Sequence, residues 1–199
     1  MEITEEEIKE RISLLGNKAF YANQDLFKSK LLTKNSKLQM YKTSVTPVVT
    51  YACETWVLKE NTKTKLRVFE RKVLRRIYGP TKEKDGTWLI KSNEELNRLT
   101  GNKNIINHIK VQRLAWFGHV HHMPDNSMVK NVYEWSPTLT RSLGRPKNRW
   151  EDDVKSDITR MKITNWKDCI RDTRWEGQNF SEVVVPQKEE EPCLSSHNT

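Results

Sequence analysis

Apolar residues return at steps of three and four along most of this chain, with polar residues between them, and that spacing predicts helices rather than strands. Ile8, Ile12, Leu15, Ala19, Ala22 and Leu26 form the first stripe, opened by Thr4 and Glu7 as a capping box. A second box, Ser36 with Gln39, leads a segment in which Leu38, Tyr41, Val45, Val48 and Val49 face inward through Trp56. Pro47 must kink or split that segment, because its ring removes a helix hydrogen bond. The most fully marked helix follows in NTKTKLRVFERKVLRRIYGP, where Leu66, Phe69, Val73 and Ile77 make one stripe. Asn61 or Thr62 caps its start, Gly79 supplies a left-handed stop, and Pro80 forbids continuation.

The pattern changes between Thr81 and Ser92, where the tight-turn pair Asp85-Gly86 precedes TWLIK, and one small hairpin is expected. Ser92 with Glu95 caps another short helix. Asn102 or Asn104 begins NIINHIKVQRLAWFGHVHH, with Ile105, Ile109 and Trp116 among its buried positions, and Asp125 or Asn126 caps a further turn or two through Trp135. SPTLTRSLGRPKNRW has no periodicity and reads as a basic linker carrying Arg141, Arg145, Lys147 and Arg149. Trp150, Val154, Ile158 and Met161 mark a helix, Asn165 caps another with Trp166, Ile170 and Trp175, and VVVPQKEEEPCLSSHNT reads as a disordered tail. The expected architecture is mainly α. It comprises a helical bundle over 1–80, a hairpin and helical extension over 81–136, the linker over 137–149, a smaller helical portion over 150–180 and the tail over 181–199.

Charge sharpens this picture. The 199 residues carry a formal net charge of +9, yet residues 1–10 hold −4 and residues 182–199 hold −3, which leaves +16 on the body between them. From Lys59 to Tyr78 eight Lys or Arg oppose two Glu, and Lys65, Arg71, Lys72, Arg75 and Arg76 lie away from the apolar stripe. Single-sign patches of this kind are the footprint of polyanion binding, so this helix is expected to dock on a core and face phosphate. Cys53, Cys169 and Cys193 are odd in number and form no CxxC pair, which points to a reducing, intracellular setting. No apolar run of membrane-spanning length and no leader segment is read from the sequence, so no membrane contact is expected.

Candidate chemistry is sparse. Trp150-Glu151-Asp152-Asp153 resembles a polymerase metal-binding turn in composition, but it sits at a helix start, where acidic residues are favoured by the helix dipole. His119, His121 and His122 lack the two close ligand pairs of a structural zinc site, and no metal or cofactor is expected. Cys53 reads as packed rather than reactive. No phosphate loop, dinucleotide turn or nucleophile elbow occurs.

Several long segments, in order, resemble the C-terminal part of the reverse transcriptases of non-LTR retrotransposons of the endonuclease plus reverse transcriptase type. They are LFKSKLLTKNSKLQMYKTSVTPVVTYACETWVL, LRVFERKVLRRIYGP, DGTWLIKSNEEL, IKVQRLAWFGHVHHM, GRPKNRWEDDV and NWKDCIRDTRW, from about Glu6 to about Trp175. The resemblance implies a helical thumb followed by a C-terminal extension, with template-primer duplex as partner. It places the catalytic aspartates and the endonuclease outside this chain, so the chain alone is not expected to be an enzyme. Lys110, Arg113, Arg145, Lys147 and Arg149 are then secondary contacts to the duplex. The acidic tail departs from the family pattern. Two rival readings are a helix-turn-helix DNA-binding protein, which would discriminate between bases, and an interaction module or inert remnant with no nucleic-acid affinity.

Overall fold

The computed structural model describes residues 2–101, 103–135 and 149–160. It is mainly helical with one two-stranded antiparallel hairpin. The expected linker up to residue 148, its Arg141, the later helix at Asn165 and the tail fall outside the described residues, as do Asn102, Met161, Trp166, Ile170 and Trp175.

The first helical run is α1 (Glu2–Glu10), a π-helical segment (Arg11–Gly16) and α2 (Asn17–Ala22), followed by α3 (Gln24–Lys28). It begins at Glu2, ahead of Thr4. Asn17 N–H reaches back five residues to the Ile12 carbonyl, which is the bond that defines a π turn. A π turn spends one extra residue, rotating everything after it by about 100° relative to an unbroken α-helix. Beyond Ile12, only Ala19 of the expected stripe still packs on the core. Leu15, Ala22 and Leu26 are exposed, and Gly16, Phe20 and Phe27 are buried in their place.

The second run repeats the device. Its parts are α4 (Lys34–Met40), a π-helical segment (Tyr41–Val45) and α5 (Thr46–Thr50). Thr33, not Ser36, is the cap, accepting from Ser36 N–H at 3.1 Å. Thr46 N–H bonds to the Tyr41 carbonyl, and the Thr46 hydroxyl donates to the same oxygen at 3.2 Å. Pro47, which has no N–H to give, is thus tolerated within a continuous run. Tyr41, Val45 and Val49 are buried as expected and Leu38 half-buried, whereas Val48 is exposed. Ala52 at φ +57° then turns the chain into the short 3-10 turn Cys53–Thr55.

α6 (Glu60–Tyr78) is the centre of the molecule. It starts at Lys59 without a side-chain cap, ahead of the expected Asn61 or Thr62, and ends at Gly79 with φ +68°, as expected. Leu66, Phe69, Val73 and Ile77 pack in one core with Ile8, Phe20 and Phe27 of the first run and Tyr41, Val45, Val49 and Trp56 of the second. The first run passes so close that a Cβ on Gly16 would lie 2.7 Å from Val49 Cγ2 and 3.0 Å from Phe69 Cζ. Gly16→Ala is expected to lower stability by about 1–3 kcal/mol through overpacking, despite the better helix propensity of alanine. Thermal unfolding measures this, and a variant as stable as the parent would show that these backbones can part.

β1 (Thr81–Lys82) and β2 (Trp88–Leu89) pair antiparallel, Thr81 with Leu89 and Lys82 with Trp88, around Asp85-Gly86 with Gly86 at φ +92°. The Asp85 carboxylate accepts from Thr87 N–H at 3.0 Å, fixing the turn. α7 (Asn93–Leu99) opens with the expected Ser92/Glu95 capping box. α8 (Ile105–His122) begins at Asn104, whose side chain accepts from Asn107 N–H at 2.8 Å. Ile105 and Ile109 are buried, but Trp116 is exposed because the buried stripe runs through Arg113 and Phe117 instead. α9 (Met128–Glu134) follows Ser127, not Asp125 or Asn126. α10 (Trp150–Arg160) packs on α8 through a second small core of Leu114, Phe117, Val154 and Ile158. No helix among the described residues is long and apolar enough to cross a membrane.

Candidate nucleic-acid interface

With the stripe of α6 buried, the helix presents its remaining arc outward. Its early basic residues are already engaged. Lys63 and Arg67 pair with Glu60 at 3.5 and 2.9 Å, and Lys59, just before the helix, pairs with Glu5 at 3.2 Å. Lys65, Arg71, Lys72, Arg75 and Arg76 form no ion pair among the described residues. Five cations over the twelve residues from Lys65 to Arg76 span about 16 Å of helix, a length comparable to about five phosphates along one nucleic-acid strand.

Neighbouring elements hold several of these side chains in place. The Lys72 ammonium donates to Asn17 Oδ1 at 2.9 Å and Tyr21 OH at 3.2 Å, and lies 4.8 Å from the centre of the Tyr21 ring. Lys65 and Lys72 join Lys9 of α1 around an open groove of about 440 Å³ whose apolar wall includes Ile12, Val68 and Phe69. Arg75 donates to the Lys91 carbonyl at 3.4 Å and to Asn93 Oδ1 at 2.9 Å, tying α6 to the foot of the hairpin. Arg71 is half-buried and acts electrostatically on both Glu70 and Glu94, while Arg76 is exposed.

Two of the expected secondary contacts, Lys110 and Arg113, are engaged elsewhere. Arg113 is 1% exposed, with Nη2 donating to Asp153 at 2.8 Å and Nη1 to Asp157 at 3.5 Å, so it cannot reach phosphate. Lys110 is neutralised by Asp157 at 2.8 Å. Arg149 is half-buried just ahead of α10, and Arg145 and Lys147 lie outside the described residues.

Of those carboxylates Asp153 belongs to the acidic motif at 150–153, and Asp157 lies four residues further along α10. Asp153 also accepts from Leu58 N–H at 3.1 Å, and Trp150 Nε1 donates to the Glu54 carbonyl at 2.7 Å. The motif holds α10 to α8 and to the Cys53–Leu58 stretch. His121 Nδ1 donates to the Phe117 carbonyl at 2.9 Å and its ring lies 5.3 Å from Tyr133, while α8 ends at His122. Among the described residues no group of three or more His, Cys, Asp or Glu is placed to hold a metal ion. Cys53 is buried, and burial pushes its thiol up to about 12.

Glu70 is a structural residue whose burial the sequence pattern did not reveal. It is buried beside the stripe of α6, and its Oε1 accepts from Ile105 N–H at 2.9 Å, closing the start of α8. Burial raises its carboxyl to about 7, with the Ile105 hydrogen bond and Arg71 pulling the other way.

No protein-family model and no solved structure matches the chain. Over 151 residues it is 25% identical to the transposon-derived protein F52C9.6 of Caenorhabditis elegans, a match that covers 71% of this chain and 52% of the worm protein. The chain thus spans about half the length of the curated relative it matches. This similarity supports a transposon-related origin for the chain.

Proposed function

We propose that this chain is the thumb and C-terminal extension of a non-LTR retrotransposon reverse transcriptase, and that it grips a template-primer duplex through the exposed arc of α6. The observation that carries the reading is the set of five cations on that arc without a carboxylate partner among the described residues, beside others of the same helix that have one. The long segments resembling that enzyme family and the transposon-derived relative support it. On this reading the acidic motif at 150–153 builds the fold, and the chain by itself carries no polymerase centre.

Phosphate gripping predicts weak sequence preference and a steep dependence on salt. Lys65→Gln with Arg76→Gln removes two charges that hold no structural hydrogen bond, so thermal stability should stay within about 0.5 kcal/mol of the parent. The slope of log affinity against log salt for an RNA–DNA hybrid should fall by about 1.8, from a coefficient near 0.9 for each contact on B-form DNA. An unchanged slope would leave the arc a solvated surface and favour a protein partner. Strong discrimination between base sequences would favour a helix-turn-helix reader instead.

A further inference from the structure

The hairpin offers apolar surface where a fold normally hides it. Trp88 is 65% exposed, Leu89 49% and Ile90 77%, and every residue from Pro80 to Ile90 is exposed, so the hairpin contributes nothing to either core. A two-stranded ribbon has little stability alone. This one is held at its foot by Arg75, which bonds the Lys91 carbonyl and Asn93, and at its tip by the Asp85 turn. It is therefore a projection built on the end of the basic arc rather than a loose loop.

Its chemistry is mixed in a specific way. Lys82 pairs across the ribbon with Trp88, and its ammonium lies 5.8 Å from the centre of that ring. An exposed indole beside a cation, continuous with a helix whose outer arginines and lysines have no carboxylate partner among the described residues, matches a partner with flat aromatic faces strung on a polyanion. An aromatic face accepts any base, whereas the cation alone would select only phosphate.

We infer that Trp88 is a base-stacking residue: while α6 holds the backbone of a duplex, the hairpin meets its end and stacks on an unpaired base there. This rests on the duplex reading of α6 and adds to it a preference for open ends over continuous helix. Ile90, two residues on from Trp88 and 77% exposed, supplies further apolar surface, as wedge residues do in proteins that part base steps.

The test titrates the full chain against three labelled RNA–DNA hybrids of one sequence. The first has a single-stranded overhang, the second is blunt, and the third is closed at both ends by base-free linkers. The overhang hybrid should bind about tenfold tighter than the closed one, since each stacked base contributes on that order. Trp88→Ala should erase the difference without changing the salt slope, and Trp88→Phe should restore most of it. Because Trp88 joins neither core, circular dichroism and melting of the alanine variant should match the parent. Equal binding of all three hybrids by the parent, with Lys65→Gln/Arg76→Gln still lowering the slope, overturns stacking and leaves the phosphate grip standing. Failure to bind any hybrid overturns both. Self-association that Trp88→Ala abolishes also overturns stacking, by giving the surface to a second copy of the chain.

Discussion

Arg113→Ala is expected to cost about 3–5 kcal/mol, the usual penalty for removing one partner of a buried ion pair. The guanidinium is 1% exposed and bridges Asp153 and Asp157, and Asp157 is itself buried. Truncation leaves the Asp157 carboxylate with Lys110 at 2.8 Å and Asp153 with the Leu58 amide at 3.1 Å. Both acids would lose their shared cation, and a cavity would be left in its place. The prediction is checked by denaturant unfolding, with limited proteolysis reporting whether α10 loosens first. A rescue separates charge from shape: Arg113→Met combined with Asp157→Leu should recover part of the loss, because apolar replacement of both members of a buried pair is often tolerated, and Asp153 keeps the Leu58 amide. If Arg113 were a phosphate contact, its loss would instead lower the salt slope of binding and spare the fold.

The second large effect depends on pH. The Glu70 carboxyl holds its proton up to about pH 7 in the folded chain against an ordinary value of 4.5. Between those two values the folded state binds more protons than the unfolded state. Stability contributed by this group is therefore fully present below about pH 4.5 and declines as pH rises through about 7, by about 3 kcal/mol in all. Glu70→Gln should remove this decline, since an amide oxygen can still accept from Ile105 N–H and carries no charge to bury. The variant should be more stable than the parent at pH 8 and closer to it at pH 5. Melting curves across that range decide the matter, and parallel curves for parent and variant would mean that Glu70 is solvated.

Legibility followed how local the cause was. α6 could be read almost whole, because its stripe is uninterrupted and Gly79-Pro80 marks its end within two residues. The hairpin turn and the Ser92 box were equally local and equally clear. The first helical run was not, for a π turn has no residue type that announces it, and one extra residue exchanged Leu15 for Gly16 and Leu26 for Phe27 at the core. Arg113 and Glu70 failed for a different reason. Each is a charge within an apolar stripe, and its partner lies 40 and 35 residues away respectively. One signal was available: Ile109, Arg113 and Phe117 are four apart, as are Asp153 and Asp157, so an arginine on a buried face could have been matched to two acids on another. The basic arc itself was legible in composition. Which of its members were already paired was not, because Glu60 and Glu5 spend themselves through folded geometry.

The π turn at Arg11–Gly16 gives this stretch two frames of meaning. Ile8, Ile12, Leu15, Ala19, Ala22 and Leu26 still spell an unbroken α-helical stripe, although the structure reads past it to Phe20 and Phe27. A wide turn is what a single inserted residue leaves inside an α-helix, so of that stripe only Ile8, Ile12 and Ala19 meet the core. Taking one residue out between Arg11 and Gly16 is then more than a shortening: it turns the remainder of the helix to show a different side to the same core.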